Sequence, residues 1–255
     1  MGRGHIGGLH SVKAALKSSA SEIEKLLVQK GRRDTRLRDL RQLAERQDIA
    51  TEEVNRAQLN ELAPDLQHQG VVALLRDASS GVRDNLSGFI SAALENGTSR
   101  SLLILVLDEV QDPHNLGACL RSADAASVDA VIIPARNSVG LTAVVRKVAC
   151  GAAEVVPLFQ VTNLQRALAD LQRQGVWVYG AAGEAPDSLY SMDLNGHVAL
   201  VMGAEGAGLR RLTREQCDGL FHLPMQGSVS SLNVSVAAGV SLFEAVRQRL
   251  AKRSA

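Results

Sequence analysis

The sequence predicts an α/β protein, with a C-terminal Rossmann-like, mostly parallel sheet and a small N-terminal α/β unit before it. Three observations carry this expectation. From residue 101 onward, short apolar runs alternate with helical patterns, the order that βαβ units produce. Most of these runs are almost continuously apolar, as strands covered on both faces are. Residues 76–85 interrupt the pattern with Asp, Ser, Gly and Arg and no apolar spacing, which reads as a linker. The expected division is therefore 1–75, a linker over 76–100, and 101–255.

The elements follow in order. Helical spacing is expected over 9–16 and 35–46, extended chain over 25–29 and 48–54, and a β-branched strand over 71–75. In the second part, strands are expected at 102–107, 130–133, 155–158, 176–179 and 198–202. Helices are expected at 116–126, 141–149 and 164–174. A further short strand, 220–225, is ended by Pro224 and Gly227. A last helix begins near Leu232, with apolar residues recurring at Val236, Val240, Phe243 and Leu250 and Ser231 as the candidate capping oxygen.

Composition sets the bounds. A chain of 255 residues can bury a substantial core in one or two domains, and 45% hydrophobic with 22% charged residues is ordinary for a soluble globular protein. The net charge of +1 gives no global nucleic-acid signature, so any RNA contact must come from local patches. Cys119, Cys150 and Cys217 are far apart and form no C-x-x-C pair, which supports neither a metal site nor a disulfide framework. The first ten residues lack the apolar core of a signal peptide, and no stretch approaches the roughly 18 apolar residues of a membrane span. A reduced, cytoplasmic protein with no membrane partner is expected.

Three blocks carry chemistry. In Asn115-Leu-Gly-Ala-Cys-Leu-Arg121, a turn leads into a helix whose apolar stripe is Leu116, Cys119, Leu120 and Ala123. Asn115 suits the N-cap, and Arg121 lies off the stripe. Alone, this block reads equally as a capped helix with a surface arginine paired to Asp124. Gly203-Ala-Glu-Gly-Ala-Gly208 follows an apolar run, which puts its glycines at a strand's carboxyl end, where ligands of open α/β sheets bind. Alone, it is also a flexible turn with a solvated Glu205; it is not a G-x-G-x-x-G phosphate loop. In the third block, Gly227-Ser-Val-Ser-Ser-Leu-Asn-Val-Ser-Val-Ala237, the hydroxyls and Asn233 exceed what one helix cap needs.

Together these blocks, N-x-G-x-x-x-R, G-x-E-x-x-G and S-L-N-V-S-V-A, resemble the motif set of the SPOUT (trefoil-knot) RNA 2′-O-ribose methyltransferases, in that family's order. The resemblance extends over nearly the whole chain and is closest to the bacterial 23S rRNA guanosine-2′-O-methyltransferases. It implies a deep C-terminal trefoil knot, an N-terminal RNA-binding domain, S-adenosyl-L-methionine as cofactor, 23S ribosomal RNA as partner and a homodimer formed through the knot region. It implies Asn115, Arg121, Glu205, Ser231 and Asn233 as catalytic residues, and Gly203, Leu223, Met225 and Leu232 as cofactor contacts. Because arginine is essentially always protonated, Arg121 is assigned first to gripping phosphate and stabilising the developing oxyanion, with its role as base left open.

For RNA, the run from Lys30 to Arg41 holds six basic and two acidic residues, either a solvated helix face or a phosphate patch. With 3% aromatic residues, backbone and shape contacts are favoured over base stacking. His68-Gln-Gly70 also resembles the family's N-terminal domain. Two alternatives remain at this level: the same methylation on tRNA, or a non-catalytic RNA-binding relative.

Overall fold

The structure is a computed structural model describing residues 5–18, 20–32, 34–64, 68–76, 82–83, 85–95, 100–204 and 206–253. It divides into two compact units, Met1–Val82 with Gly140–Val155, and Arg83–Val139 with Val156–Ala255.

In the first unit, strands β1 (His5–Gly7), β2 (Ile23–Gln29), β3 (Ala50–Val54) and β4 (Val71–Leu75) form a sheet in the order β1-β4-β2-β3. β2 and β3 run parallel, joined by α2 (Thr35–Arg46), and β4 is antiparallel to β2 and β1. Asp34 starts α2 by accepting the Leu37 N–H at 3.1 Å. Leu37, Leu40 and Ala44 of α2 and Val12, Ala15 and Leu16 of α1 (Leu9–Ser18) cover one face of the sheet. The other face packs on Leu59 of α3 (Arg56–Leu62), a helix the sequence reading did not anticipate although Asn55 and Gln58 form a capping box ahead of it. The His68–Gly70 turn enters β4 with Gln69 at φ 47° and Gly70 at φ 79°. Buried His68 fixes it, its Nδ1 accepting the Gly70 N–H at 3.0 Å while Nε2 meets Asn60 Oδ1 at 2.8 Å.

The second unit holds a mixed-length sheet in the order β10-β12-β9-β11-β6-β7-β8-β5. Its strands are β5 (Val82–Arg83), β6 (Leu103–Leu107), β7 (Ala130–Pro134), β8 (Leu158–Val161), β9 (Trp177–Ala181), β10 (Asp187–Ser188), β11 (Val198–Met202) and β12 (Gly219–His222). Pairing is parallel from β10 through β8. β6, β7 and β11 are buried at every residue, which is why their sequences are unbroken apolar runs. On one face, Ile104, Val106, Ile132, Val178 and Val201 pack with Ile90 of α4 (Leu86–Glu95) and Leu168 of α7 (Leu164–Arg173). On the other side of β11 lies α9 (Val234–Arg253), itself packed on α5 (Pro113–Ala125).

Several expectations are corrected. The stretch read as a linker carries α4, whose Leu86 and Ile90 belong to the second core; residues 77–81, 84 and 96–99 of it lie outside the described ones. The strand expected at 155–158 begins at Leu158, because Cys150 (φ 54°) and Gly151 (φ 99°) turn the chain into a short 3-10 segment and leave Val155 exposed. The segment Gly140–Val155, with α6 (Ala143–Ala149), packs with the first unit: Gly151 closes on Ala14, and the buried ion pair Arg146–Glu154 holds the segment together. Burial raises the Glu154 carboxyl, against the opposing pull of Arg146. The apolar stripe expected to seat the last helix is its outer face, since Val236, Phe243 and Leu250 are exposed. Its inner face is Val234, Ala238, Ser241, Leu242 and Ala245, at i, i+4, i+7, i+8 and i+11.

Candidate functional site

The carboxyl ends of β9, β11 and β12 open onto one cavity of about 360 Å³. These strands pair in the order β12-β9-β11, so the chain segments that leave them lie side by side at the sheet's ligand-binding edge. Ala181 and Ala182 come from the end of β9, Gly203 and Gly208 from the loop after β11, and Leu223 and Met225 from the chain after β12. Ser231 and Leu232 close it from the approach to α9.

Gly203 shows how tightly the second of these segments is folded. A Cβ there would stand 2.1 Å from the Gly208 carbonyl carbon, 2.3 Å from its oxygen and 2.4 Å from the Leu209 nitrogen. The loop therefore returns across its own first residue, held by the Gly208 N–H donating to the Ala204 carbonyl at 2.9 Å. Gly206 (φ 76°) and Gly208 (φ 66°) supply the left-handed backbone that this return needs. Glu205, just before Gly206, lies outside the described residues.

An anchor that the sequence reading missed fixes the loop's far end. Asp108, fully buried one residue past β6, accepts from Arg210 Nε at 2.8 Å and from the Arg210 backbone N–H at 3.2 Å. Arg210 also pairs with Glu109 at 3.0 Å. Its hydrogen bond to Asp108 holds the guanidinium's pKa above its ordinary value. An acid directly ending the apolar run 103–107 was the available signal, because a buried carboxylate there requires a cation.

The N-termini of α5 and α9 meet beside this cavity. Asn233 Nδ2 donates to Asn115 Oδ1 at 2.9 Å. Two capping assignments change. Asn233, not Ser231, caps α9, its Oδ1 accepting the Ser235 N–H at 2.9 Å and the Ser235 hydroxyl at 2.6 Å. Asp112, not Asn115, caps α5, accepting the His114 N–H at 2.9 Å, because Pro113 already fits the first helical position. That hydrogen bond from His114 lowers the Asp112 carboxyl below its usual range. Asn115 is consequently a buried residue of the first turn, aligned on Asn233. Leu116, Cys119, Leu120 and Ala123 form the expected buried stripe.

The structure thus places Gly203, Leu223, Met225, Leu232 and Ser231 on the cavity, with Asn233 and Asn115 bonded to each other at its border. Arg121 is exposed on α5 and does not line the cavity. In the first unit, the basic run is partly neutralised: Arg32 pairs with Asp34 and Arg41 with Glu53, both at 2.5 Å. Arg32 also donates to the Gln69 carbonyl, tying the run to the His68–Gly70 turn. Arg36 and Arg38 are exposed, and Arg33 lies outside the described residues.

Residues 102–243 match the SpoU rRNA methylase family, and residues 5–80 match the RNA 2′-O ribose methyltransferase substrate-binding domain. The chain belongs to the SpoU rRNA methylase family. Within it, the chain is 53% identical over 244 residues to the 23S rRNA (guanosine-2′-O-)-methyltransferase RlmB of Shewanella oneidensis, covering 96% of this chain and 97% of that protein. The Escherichia coli RlmB is 50% identical over 244 residues, covering 96% of this chain and 98% of its own. The SpoU methyltransferase AviRb of Streptomyces viridochromogenes, solved with AdoMet, shares the fold: TM-score 0.79 at 21% identity, covering 98% of this chain and 92% of that one. Among the described residues, no helix is long and apolar enough to cross a membrane.

Proposed function

We propose that this protein transfers a methyl group from S-adenosyl-L-methionine to the ribose 2′-hydroxyl of a guanosine in 23S rRNA. The observation that carries the proposal is the convergence of Gly203, Leu223, Met225, Ser231 and Leu232 on one cavity at the sheet's carboxyl edge, bordered by the Asn115–Asn233 bond. Full-length similarity to RlmB proteins supports rRNA over tRNA as the substrate, because it includes the N-terminal unit as well as the methylase part.

The cavity suits an adenosine. Its volume of about 360 Å³ falls within the range of small-ligand sites. Leu209, Phe221, Leu223 and Leu232 offer apolar surface to a flat base. Ala181, Ala182, Gly203 and Gly208 bring backbone donors and acceptors close without side chains in the way. When bound, S-adenosyl-L-methionine supplies an electrophilic methyl on a sulfonium sulfur.

The chain's own residues then have two tasks, to hold the 2′-hydroxyl in line and to stabilise the charge it develops. Asn233 is fixed by its cap and by Asn115, so its amide is pre-oriented at the border of the cavity. Ser231 is assigned to positioning the hydroxyl, an assignment supported by its place on the cavity wall. Arg121, always cationic, grips phosphate and stabilises the oxyanion from the exposed side of α5, and Glu205 completes the catalytic set.

The N-terminal domain, 1–75, is assigned to RNA binding, supported by the substrate-binding match and by the exposed Arg36 and Arg38. A cytoplasmic homodimer is proposed, supported by the exposed apolar face of α9, Val236, Phe243 and Leu250. A trefoil knot is proposed in 200–235, supported by the strand order β10-β12-β9-β11, in which the chain leaving β11 passes β9 and inserts as β12 between β9 and β10. The test is to map 2′-O-methylation in cells with and without this gene. Loss of one 23S guanosine methylation is expected, and an unchanged 23S rRNA rejects the substrate.

A further inference from the structure

The described residues lining the cavity include three ionisable side chains: Glu184, Arg214 and His222. His222 is committed locally, its Nδ1–H donating to the Ala185 carbonyl at 2.9 Å. The fixed charges are therefore Glu184, in the turn after β9, and Arg214, on α8 (Arg211–Glu215), and the two are ion-paired. They come from the segments that follow adjacent strands β9 and β11, so the pair bridges two walls of one cavity. Their side chains are 64% and 36% exposed, which makes the pair reachable from the cavity rather than sealed behind it.

We infer that the Glu184–Arg214 pair is the subsite for the amino-acid end of the cofactor; this rests on the S-adenosyl-L-methionine reading above. That end is a zwitterion, one carboxylate and one ammonium a few bonds apart. A side-by-side carboxylate and guanidinium present the complementary charges at comparable separation. The guanidinium has five N–H donors, more than one carboxylate can engage, which leaves donors for a second carboxylate beside Glu184. The Glu184 carboxylate accepts from the ammonium in turn. The apolar remainder of the cavity takes the adenosine, so the two ends of the ligand are sorted by polarity. Nothing in the three sequence blocks pointed to these residues, because neither lies within them.

The test is equilibrium binding by calorimetry with two thioethers that differ only in the amino-acid end, S-adenosylhomocysteine and 5′-methylthioadenosine. The wild-type chain is expected to favour S-adenosylhomocysteine. Arg214→Ala should lower its affinity for S-adenosylhomocysteine by at least about tenfold and leave 5′-methylthioadenosine within about twofold. Glu184→Gln, which preserves size, should shift the same ligand in the same direction. Retained 5′-methylthioadenosine binding certifies a folded cavity in each variant. Equal losses for both ligands in both variants make the pair a structural brace and overturn the inference, as do unchanged affinities. If the wild-type chain binds neither ligand, the cofactor reading of the cavity fails, and this inference with it.

Discussion

Adding one methyl group at Gly203 tests how the 203–208 loop is built. Ordinary Cβ contacts begin near 3.4 Å, whereas an alanine here would meet three backbone atoms at 2.1–2.4 Å. Those atoms belong to Gly208 and Leu209, so no side-chain rotation relieves the clash, and the returning strand of the loop must retreat by about 1 Å. Overpacking of this kind costs about 2–3 kcal/mol. For a unit of this size, that corresponds to a fall in Tm of about 4–12 °C. Because Gly208 and Leu209 also line the cavity, the same movement should reduce methyl transfer about a hundredfold. Gly183→Ala is the control: it lines the same cavity, but a Cβ there has nothing within 4 Å. Thermal unfolding, S-adenosylhomocysteine binding and methylation of a 23S fragment are measured on both variants. A Gly203→Ala protein that melts and turns over like Gly183→Ala refutes the reasoning.

Three further outcomes are expected. Arg121→Ala should lower kcat by about 10²- to 10³-fold while leaving S-adenosylhomocysteine affinity unchanged, since Arg121 does not line the cavity; wild-type turnover would remove it from the catalytic set. Asn233→Ala loses both the α9 cap and the bond to Asn115, and should cost about 2 kcal/mol by urea denaturation, whereas Asn233→Ser, which keeps a cap, should recover about half. Wild-type stability in Asn233→Ser would deny the Asn115 bond any weight, and equal losses in the two variants would deny the cap any. Burial first, then Arg56 and Arg32, lowers the pKa of His68, so the folded state holds it neutral. The unfolded chain then binds the extra proton, and stability present above pH 6.5 is lost as pH falls through the folded value. Hydrogen-exchange protection of the Gly70 amide, whose acceptor is His68 Nδ1, should decline over that window; flat protection contradicts it.

How much was legible depended on the kind of signal. β4, β6 and β11 stand where unbroken apolar runs put them or within a residue of it, because burial on both faces leaves no alternation to misread. α2 was legible to the residue from its spacing, with Asp34 ahead of it. The last helix was legible in position and misread in orientation. Its large apolar residues, Val236, Phe243 and Leu250, face outward, while small ones, Ala238, Ser241 and Ala245, allow close approach to its neighbours. Periodicity weights size and so favoured the wrong face. The caps were misplaced by two or three residues for a related reason: Ser231, Asn233, Asp112 and Asn115 are all competent capping side chains, and only the chain path selects among them.

By itself, then, the sequence determined the α/β class, most of the strand positions and the three blocks of polar and glycine residues, because these depend on local pattern and chemistry. The tertiary structure alone decided that the second and third blocks meet on one cavity, that Asn115 of the first bonds Asn233 of the third, and that Asp108 clamps Arg210 across the sheet's edge. It also decided that Gly140–Val155 packs with the first unit and that Glu184 and Arg214 face each other over the same cavity. Such pairings depend on strand order and loop path, which fix distances between residues far apart in the chain, and no local periodicity encodes them.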